Sequence, residues 1–500
     1  MKDGTILDRA IARVSPSWAL ERQKARFALD RLSGVRAEYD GATKGRRAAG
    51  WRRKVKDANG ELTPRVLALL RGIAHDLTRN NGHAARGAAA LAEHIVGTGI
   101  TFQVYRNGKQ DMKLTQLARD HFDSTTCDAA GRHDLYGLQL QAAKSIVTGG
   151  AGLMRRRWRR VSDGLPVPFQ IQLLEPDYID LGRQGALGGE NAGYLINGIQ
   201  FDPLGRREGY WLYSSHPGSV RPGALGSKFV AARDVAHIFR ADRPEQEHGA
   251  TWFAPVILRM KDFADMEDAY LLRQKIASCF AVFKIGDPDE PDTNQETDGD
   301  DPELENIEPG MIYDLPDGKD IKFASPPAVD GYADYSKVSL HAVSAGLGVP
   351  YEVITGDLSN VSFISGRLGL LNFRRSVATW QWHMFVPQFC KTVEQWFFEA
   401  AEMAGHNVKG ASMRWTPPTT QMLDPATEII ANRDAVRSGQ ATISSLARER
   451  GEDPDTFLEE WSADAQRLDA LGLIFDSDPR RVTAVGNPAP QAAPNKDNRS

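Results

Sequence analysis

Between residues 63 and 96 apolar side chains recur at helical spacing. Val66, Leu67, Leu69, Leu70 and Ile73 follow the cap candidate Thr63 and Pro64, and the run breaks at Asn80, Asn81 and Gly82. The pattern predicts a helix there and a second one from Ala84 to Val96, stopped by Gly97. From Ile100 the period changes to two. Short β-rich pieces at 100–105, 153–161, 169–174, 194–196, 210–213 and 235–239, separated by Gly, Pro and Asp turns, predict a mostly antiparallel sheet. A helix from Tyr136 to Val147 interrupts them, so the fold class of this stretch is α+β.

At Pro255 the pattern turns helical again, with Val256, Met260, Phe263, Tyr270 and Leu271 on one side. Two strand-like runs, 279–285 and 311–315, and a third at 321–323 make a small β-rich insertion. A helix from Tyr332 to about Ala345 closes it. A Gly/Ser-rich loop, 356–366, leads into a long helix, 367–404, carrying Trp380, Trp382, Phe385, Phe389, Trp396 and Phe397, which read as core. Pro387 in its interior removes a hydrogen bond and predicts a kink. Helices at 425–438 and 441–471 follow, and 476–500 reads as a disordered tail.

Composition adds that 500 residues, 41% hydrophobic and 25% charged, suit a folded, multi-domain chain. No apolar run of about 18 residues is present and Met1, Lys2 and Asp3 begin no apolar segment, which predicts neither a membrane span nor a secretory signal. Net charge is −4, yet residues 1–60 carry 15 Lys/Arg against 7 Asp/Glu, whereas 287–305 carry ten Asp/Glu and no base. The first segment reads as an extended, partly helical basic arm and the second as a mobile acidic loop. Cys127, Cys279 and Cys390 lie far apart, which argues against disulfides and a structural zinc site.

Catalytic signatures are missing. Gly108-Lys109 and Gly318-Lys319 lack the rest of a phosphate cradle, HExxH and GxSxG do not occur, and the eleven histidines are scattered. Asn294, Glu296, Asp298, Gly299 and Glu305 imitate a calcium loop poorly, and a solvated loop is the better reading. No cofactor is expected. Residues 441–462 imitate a helix-turn-helix, but Asp453, Asp455, Glu459 and Glu460 would repel phosphates, so they read as an interaction surface. In the basic run 155–160, alternation puts Arg155, Arg157 and Arg159 on one face and Arg156, Trp158 and Arg160 on the other, read as a solvated strand with inter-subunit ion pairs.

The order of these pieces, together with several short motifs, resembles the lambda-like family of tailed-bacteriophage portal proteins. The motifs are Arg79-Asn80-Asn81-Gly82 with Glu93-His94-Ile95-Val96-Gly97, Leu174-Glu175-Pro176-Asp177, residues 198–205 from Gly198 to Gly205, His237-Ile238-Phe239-Arg240, residues 249–255 from Gly249 to Pro255, residues 345–352 from Ala345 to Glu352, and Ser438-Gly439. The resemblance spans about residues 60–475. It implies a ring, typically of twelve copies, at one capsid vertex, through which double-stranded DNA is packaged and ejected. Its parts would be a basic arm (1–60), a wing (61–250, with a return at 410–424), stem helices (251–278 and 332–350), a clip (279–331), a channel loop (351–366), a long kinked helix (367–409) and a helical crown (425–475). The loop residues facing DNA would be Asp357, Ser359, Asn360, Val361, Ser362 and Ser365. Asp287, Asp289, Glu290, Asp292, Glu296 and Asp298 of the clip would face the terminase large subunit or a head-completion adaptor. Further implied partners are the major capsid or scaffold protein and dsDNA without sequence specificity; no membrane is involved. The implied location is the virion, with assembly in the host cytoplasm.

The physics agrees with a conduit, because a loop without bases offers DNA no phosphate contact to leave. The reading is therefore a non-enzymatic structural protein. A static DNA-binding capsid assembly factor using the basic arm is the alternative, and a nuclease built on the acidic loop is a third reading.

Overall fold

The structure, a computed structural model, describes residues 55–188, 192–220, 226–278, 282–285, 312–315, 331–359, 361–418, 424–450 and 454–473. The chain divides into two units at Asp57/Ala58, and the second carries all of the described helices and strands. The basic arm, the acidic segment 287–305, the strand expected at 321–323, the tail and Asn360 lie outside the described residues.

Helices α1 (Pro64–Asn80) and α2 (Gly82–Val96) form where the spacing placed them. Thr63 at the start of α1 is extended but makes no side-chain cap bond, whereas Asn81 caps α2, its side chain accepting the Ala84 N–H at 3.0 Å. Strands β1 (Thr101–Arg106) and β2 (Lys109–Gln110) precede α3 (Met112–Phe122) and α4 (Leu135–Gly149). Then come β3 (Ala151–Trp158), β4 (Phe169–Leu174), β5 (Gly185–Ala186), β6 (Tyr194–Ile196), β7 (Ile199–Phe201), β8 (Arg207–Tyr213), β9 (Ser227–Ala231) and β10 (Val235–Phe239). Three antiparallel sheets result, in orders β13-β1-β2, β10-β3-β4 and β5-β6-β7-β8-β9, where β13 (Ala411–Thr416) returns from far along the chain to pair with β1.

The remaining elements are mostly helical: α5 (Ile257–Ser278), α6 (Tyr332–Leu347), α7 (Tyr351–Thr355), α8 (Phe363–Trp380), α9 (Lys391–Met403), α10 (Pro425–Arg437), α11 (Ile443–Glu449) and α12 (Pro454–Leu471). Between α5 and α6, strands β11 (Val282–Ile285) and β12 (Ile312–Leu315) pair in parallel. The expected single helix at 441–471 is two, the second opening on Pro454, a residue suited to a first helical turn.

The long helix differs from its sequence reading. Around Pro387 ten residues, Gln381–Cys390, adopt π-helix between α8 and α9, and the Lys391 N–H reaches back to the Val386 carbonyl. The wider register absorbs the missing proline N–H and turns Gln388 toward the free edge of β10. There its amide accepts from Phe239 N–H at 2.9 Å and donates to Phe239 C=O at 3.1 Å, covering an edge that would otherwise be open.

The main core joins α2, α4, β3, β4, α6, α8, the π segment and α9. Phe122 sits at its centre, 5.6 Å from Phe102 and 5.5 Å from Phe397 between ring centroids. A second core of Leu153, Leu174, Ile199, Phe201, Tyr210 and Val235 lies under the five-stranded sheet. Cys127 and Cys390 are buried, and burial pushes the Cys127 thiol up to about 12, so both serve as small apolar groups.

Candidate functional site

The segment 356–366 hangs between α6 and α8. Helix α6 must approach α5 closely, because a Cβ on Gly346 would lie 2.3 Å from Val256 Cγ1. The helix stops at Gly348, whose φ of 71° is open to glycine at little cost, and Pro350 leads into the short α7. Ile354 is buried, the Arg86 Nε donates to the Val353 carbonyl at 3.2 Å, and His341 stacks on Tyr351 at 4.1 Å, so the loop leaves a fixed platform on α2 and α6.

Two polar knots shape the loop. The Asp357 carboxylate accepts from the backbone N–H of Ser359 at 3.0 Å and from its hydroxyl, and the Tyr351 hydroxyl donates to it at 3.4 Å. These bonds, with Ser359 foremost, hold the Asp357 carboxyl below the usual carboxylate range. Further on, Ser362 caps α8: its Oγ accepts the Ser365 N–H at 3.2 Å, and the Ser362 N–H donates to Ser365 Oγ at 3.1 Å. The loop proper therefore ends at Ser362. Ser365, expected in the loop, lies in the first turn of α8, and Val361 is half-buried. Asp357, Ser359 and Ser362 share the turn; Asn360 lies outside the described residues, as do Asp287, Asp289, Glu290, Asp292, Glu296 and Asp298.

What the sequence reading missed is that α8 leaves an apolar stripe in solvent, continued into the π segment. Ile364 (79% exposed), Leu368 (61%), Leu371 (46%) and Trp382 (52%) follow a 4-3-11 spacing that keeps one helix face, with the exposed Arg375 between Leu371 and Trp382 on the same line. The opposite side docks through Phe373 against His94, with ring centroids 4.8 Å apart, and through Gln381, whose amide donates to the Ile95 carbonyl at 2.7 Å. Apolar residues of 363–382 fall on more than one side of the helix, between Arg367, Asn372, Arg374 and Arg375, so periodicity alone could not tell the docked face from the bare one. Trp382, read as core, is on the bare one. Just beyond the cap, Arg367 pairs with Glu428 of α10 at 3.4 Å, so the first base after the loop is engaged.

Among the described residues one group could bring three metal-ligand atoms together, Glu175, Asp177 and His216. The ring's hydrogen bonds argue against it. The Gly218 N–H donates to His216 Nδ1 at 3.0 Å, so that nitrogen is already engaged, while Nε2 lies 3.0 Å from Glu175 Oε2 without making a hydrogen bond to it. Asp177 is engaged with the buried Arg71 guanidinium at 3.6 Å.

The basic strand is corrected in part. Arg156 is 4% exposed and forms its ion pairs within its own chain, to Asp234 at 2.7 Å and to Glu399, while its guanidinium lies 4.2 Å over Trp158. Burial works to raise Glu399, but the Arg156 and Gln395 hydrogen bonds keep its carboxyl below the ordinary value.

A family model described as phage portal protein, lambda family, matches residues 44–381. A probable portal protein of Halomonas phage phiHAP-1 is 23% identical over 428 residues, covering 81% of both chains. Among solved structures, a chain from the neck of a native gene-transfer-agent (GTA) particle computed with C12 symmetry aligns over 78% of this chain and 95% of its own at 13% identity with a TM-score of 0.43. A chain from the virion of such a particle aligns at 14% identity, over 78% of this chain and 94% of its own, with a TM-score of 0.42.

Proposed function

Because the chain belongs to the lambda family of phage portal proteins, structural components of virus assembly, we propose that its copies close into a ring, typically of twelve, at one capsid vertex and that double-stranded DNA passes through it. The observation that carries ring formation is the stripe Ile364–Leu368–Leu371–Trp382. Apolar side chains at helical spacing are costly to leave in water, at about 25 cal/mol per Å². Further exposed apolar residues, Leu258 and Leu272 on α5 and Ile429 and Ile430 on α10, give the same region more than one such face. A closed ring needs two different complementary faces on each copy, which a single stripe could not supply.

In this reading α5 and α6 form the stem, and residues 61–250 with the return at 410–424 form the wing. The turn holding Asp357, Ser359, Val361 and Ser362, with Asn360 and Ser365, borders the DNA path. Its fit to that task is chemical: the turn carries no base, its one carboxylate is tied to Ser359, and Arg367 just beyond it is paired, so the turn itself offers a phosphate no lasting partner. The acidic clip residues Asp287 to Asp298 would meet a basic face on the terminase large subunit or head-completion adaptor, and the basic arm the capsid or scaffold. The protein acts without catalysis, within the virion after assembly in the host cytoplasm.

Electron microscopy and mass measurement of purified protein test the ring, and a population of monomers across salt conditions overturns it. Ser362→Lys tests the path. Repeated around the ring, the added charge should shorten packaged DNA while leaving ring yield intact, the defect easing as salt rises, with Ser362→Asn silent. Full-length packaging at low salt by the Lys variant would remove the loop from the DNA path.

A further inference from the structure

Strand β3 is the middle strand of its sheet, and its two faces are used oppositely. On one, Met154 enters the main core and Arg156 takes both nearby carboxylates, Asp234 and Glu399. On the other, Leu153 is buried in the second core, and Arg155, Arg157 and Arg159 then emerge along the same line. None of these three, nor Arg160 beside them, makes an ion pair among the described residues. Other arginines of the α+β region are paired, as Arg106 is with Asp111, Arg183 with Asp180 and Arg207 with Glu247. The Arg159 Nε donates to Gln170 Oε1 at 2.7 Å, and Gln170 is itself anchored on the Thr126 and Asp128 carbonyls, so this arginine is aimed rather than free to wander. Burial and the neighbouring Arg157 charge lower the Arg155 pKa, with Asp234 opposing them, as expected of crowded cations short of counter-charge.

We propose that this face of β3 is a backbone-binding site for double-stranded DNA, in which Arg155, Arg157 and Arg159 hold phosphates without reading sequence. Side chains two residues apart on a strand stand about 6.8 Å apart, twice the rise of about 3.4 Å per phosphate along one DNA strand. Guanidinium groups, with five N–H donors in a planar fork, suit phosphate oxygens. An acidic protein would have to present carboxylates at that same repeat, whereas a duplex presents phosphates along its whole length. The site differs in kind from the loop at 357–362: one holds DNA and the other lets it pass. It stands whether or not the copies form a ring.

The test is a footprint on the intact protein. Phenylglyoxal modification of Arg155, Arg157 and Arg159 is followed by mass spectrometry, ring and monomer fractions separately, with and without a mixed-sequence 30-base-pair duplex. With duplex at low salt, modification should slow about fivefold, and the protection should vanish as salt rises. Poly-glutamate at equal charge should protect much less. Arg155→Gln with Arg157→Gln should flatten the salt dependence of duplex binding by about 0.9 per lost contact, while ring yield stays as in the parent chain. Equal modification with and without duplex overturns the proposal. Protection in rings before DNA is added also overturns it, by assigning the face to a neighbouring copy, and poly-glutamate protecting as well as duplex assigns it to an acidic protein instead. If the double variant fails to fold, the footprint on the parent chain decides alone.

Discussion

The α+β region from Ala58 to about residue 250 and the helical region from Ile257 onward treat apolar surface differently. In the first, exposed large apolar residues are spread over many elements, Val66 and Leu69 on α1, Met112 on α3, Phe229 on β9 and Val161, Leu204 and Val220 on short turns and loops, and two buried cores hold most of the others. In the second, Ile364, Leu368, Leu371 and Trp382 line up on one helix face, with Leu258, Leu272, Ile429 and Ile430 exposed on other helices of the same region. Scattered exposure is ordinary for a folded surface, whereas aligned exposure marks a place where another surface belongs. One region completes its packing within the chain; in the proposed ring the other completes it between chains.

The largest break in that contrast should come from Leu368→Lys combined with Leu371→Lys. Ring yield should fall at least about tenfold, since about 1.4 kcal/mol lost per interface already costs that factor. Thermal stability of the monomer should move by no more than about 0.5 kcal/mol, because both side chains are in solvent. Parent-level rings in this variant would show that the stripe is not an interface.

Acid should act on the other region first. Burial holds His121 down to about 4 and His248 to about 3, and keeps His237 well below its ordinary value. Unfolded imidazoles take protons near pH 6.5, so the unfolded state binds more protons below that pH and folding loses free energy there. The contribution is complete above about pH 6.5 and is lost as pH falls toward the folded values. At pH 5 the loss is about 2 kcal/mol for each of His121 and His248, and His237 adds to it in the same direction. Hydrogen exchange at pH values from 7.5 down should therefore show β8 and β10 opening before α6 and α8, once corrected for intrinsic exchange; the reverse order would refute the assignment.

Arg156→Ala should cost about 3 kcal/mol in denaturant unfolding, the lower end for a broken buried pair, because Asp234 and Glu399 keep some contact with water. Gly346→Ala should cost about 2 kcal/mol by forcing α6 off Val256, with Val256→Ala restoring most of it. Smallest of all, Ser362→Ala should cost about 1 kcal/mol through the lost cap, and Ser362→Asn much less. Equal losses for Ala and Asn would mean that Ser362 matters through something other than its oxygen.

Sequence by itself determined the type and order of the longer helices and several strands, while α3, α7, β2, β5, β7, β9 and β13 have no counterpart in the pattern. Periods of 3.6 and 2 are local properties, and caps, glycines and prolines punctuate them, so β4, β6 and β10 and the start of α1 fall where the pattern puts them. It also determined that 356–366 carries no base, because that needs only the residue types. Only the tertiary structure decided that Ser365 belongs to α8 and that Pro387 is absorbed in a π segment, since backbone register depends on what both ends are packed against. The same holds for Arg156, which strand alternation could place on a face but not in a core, because its two carboxylates lie 78 and 243 residues away. Likewise the stripe on α8 is a stripe only because Phe373 and Gln381 dock the other side on α2. A helix with apolar residues on more than one side carries no direction until a neighbour takes one face and leaves the other in water.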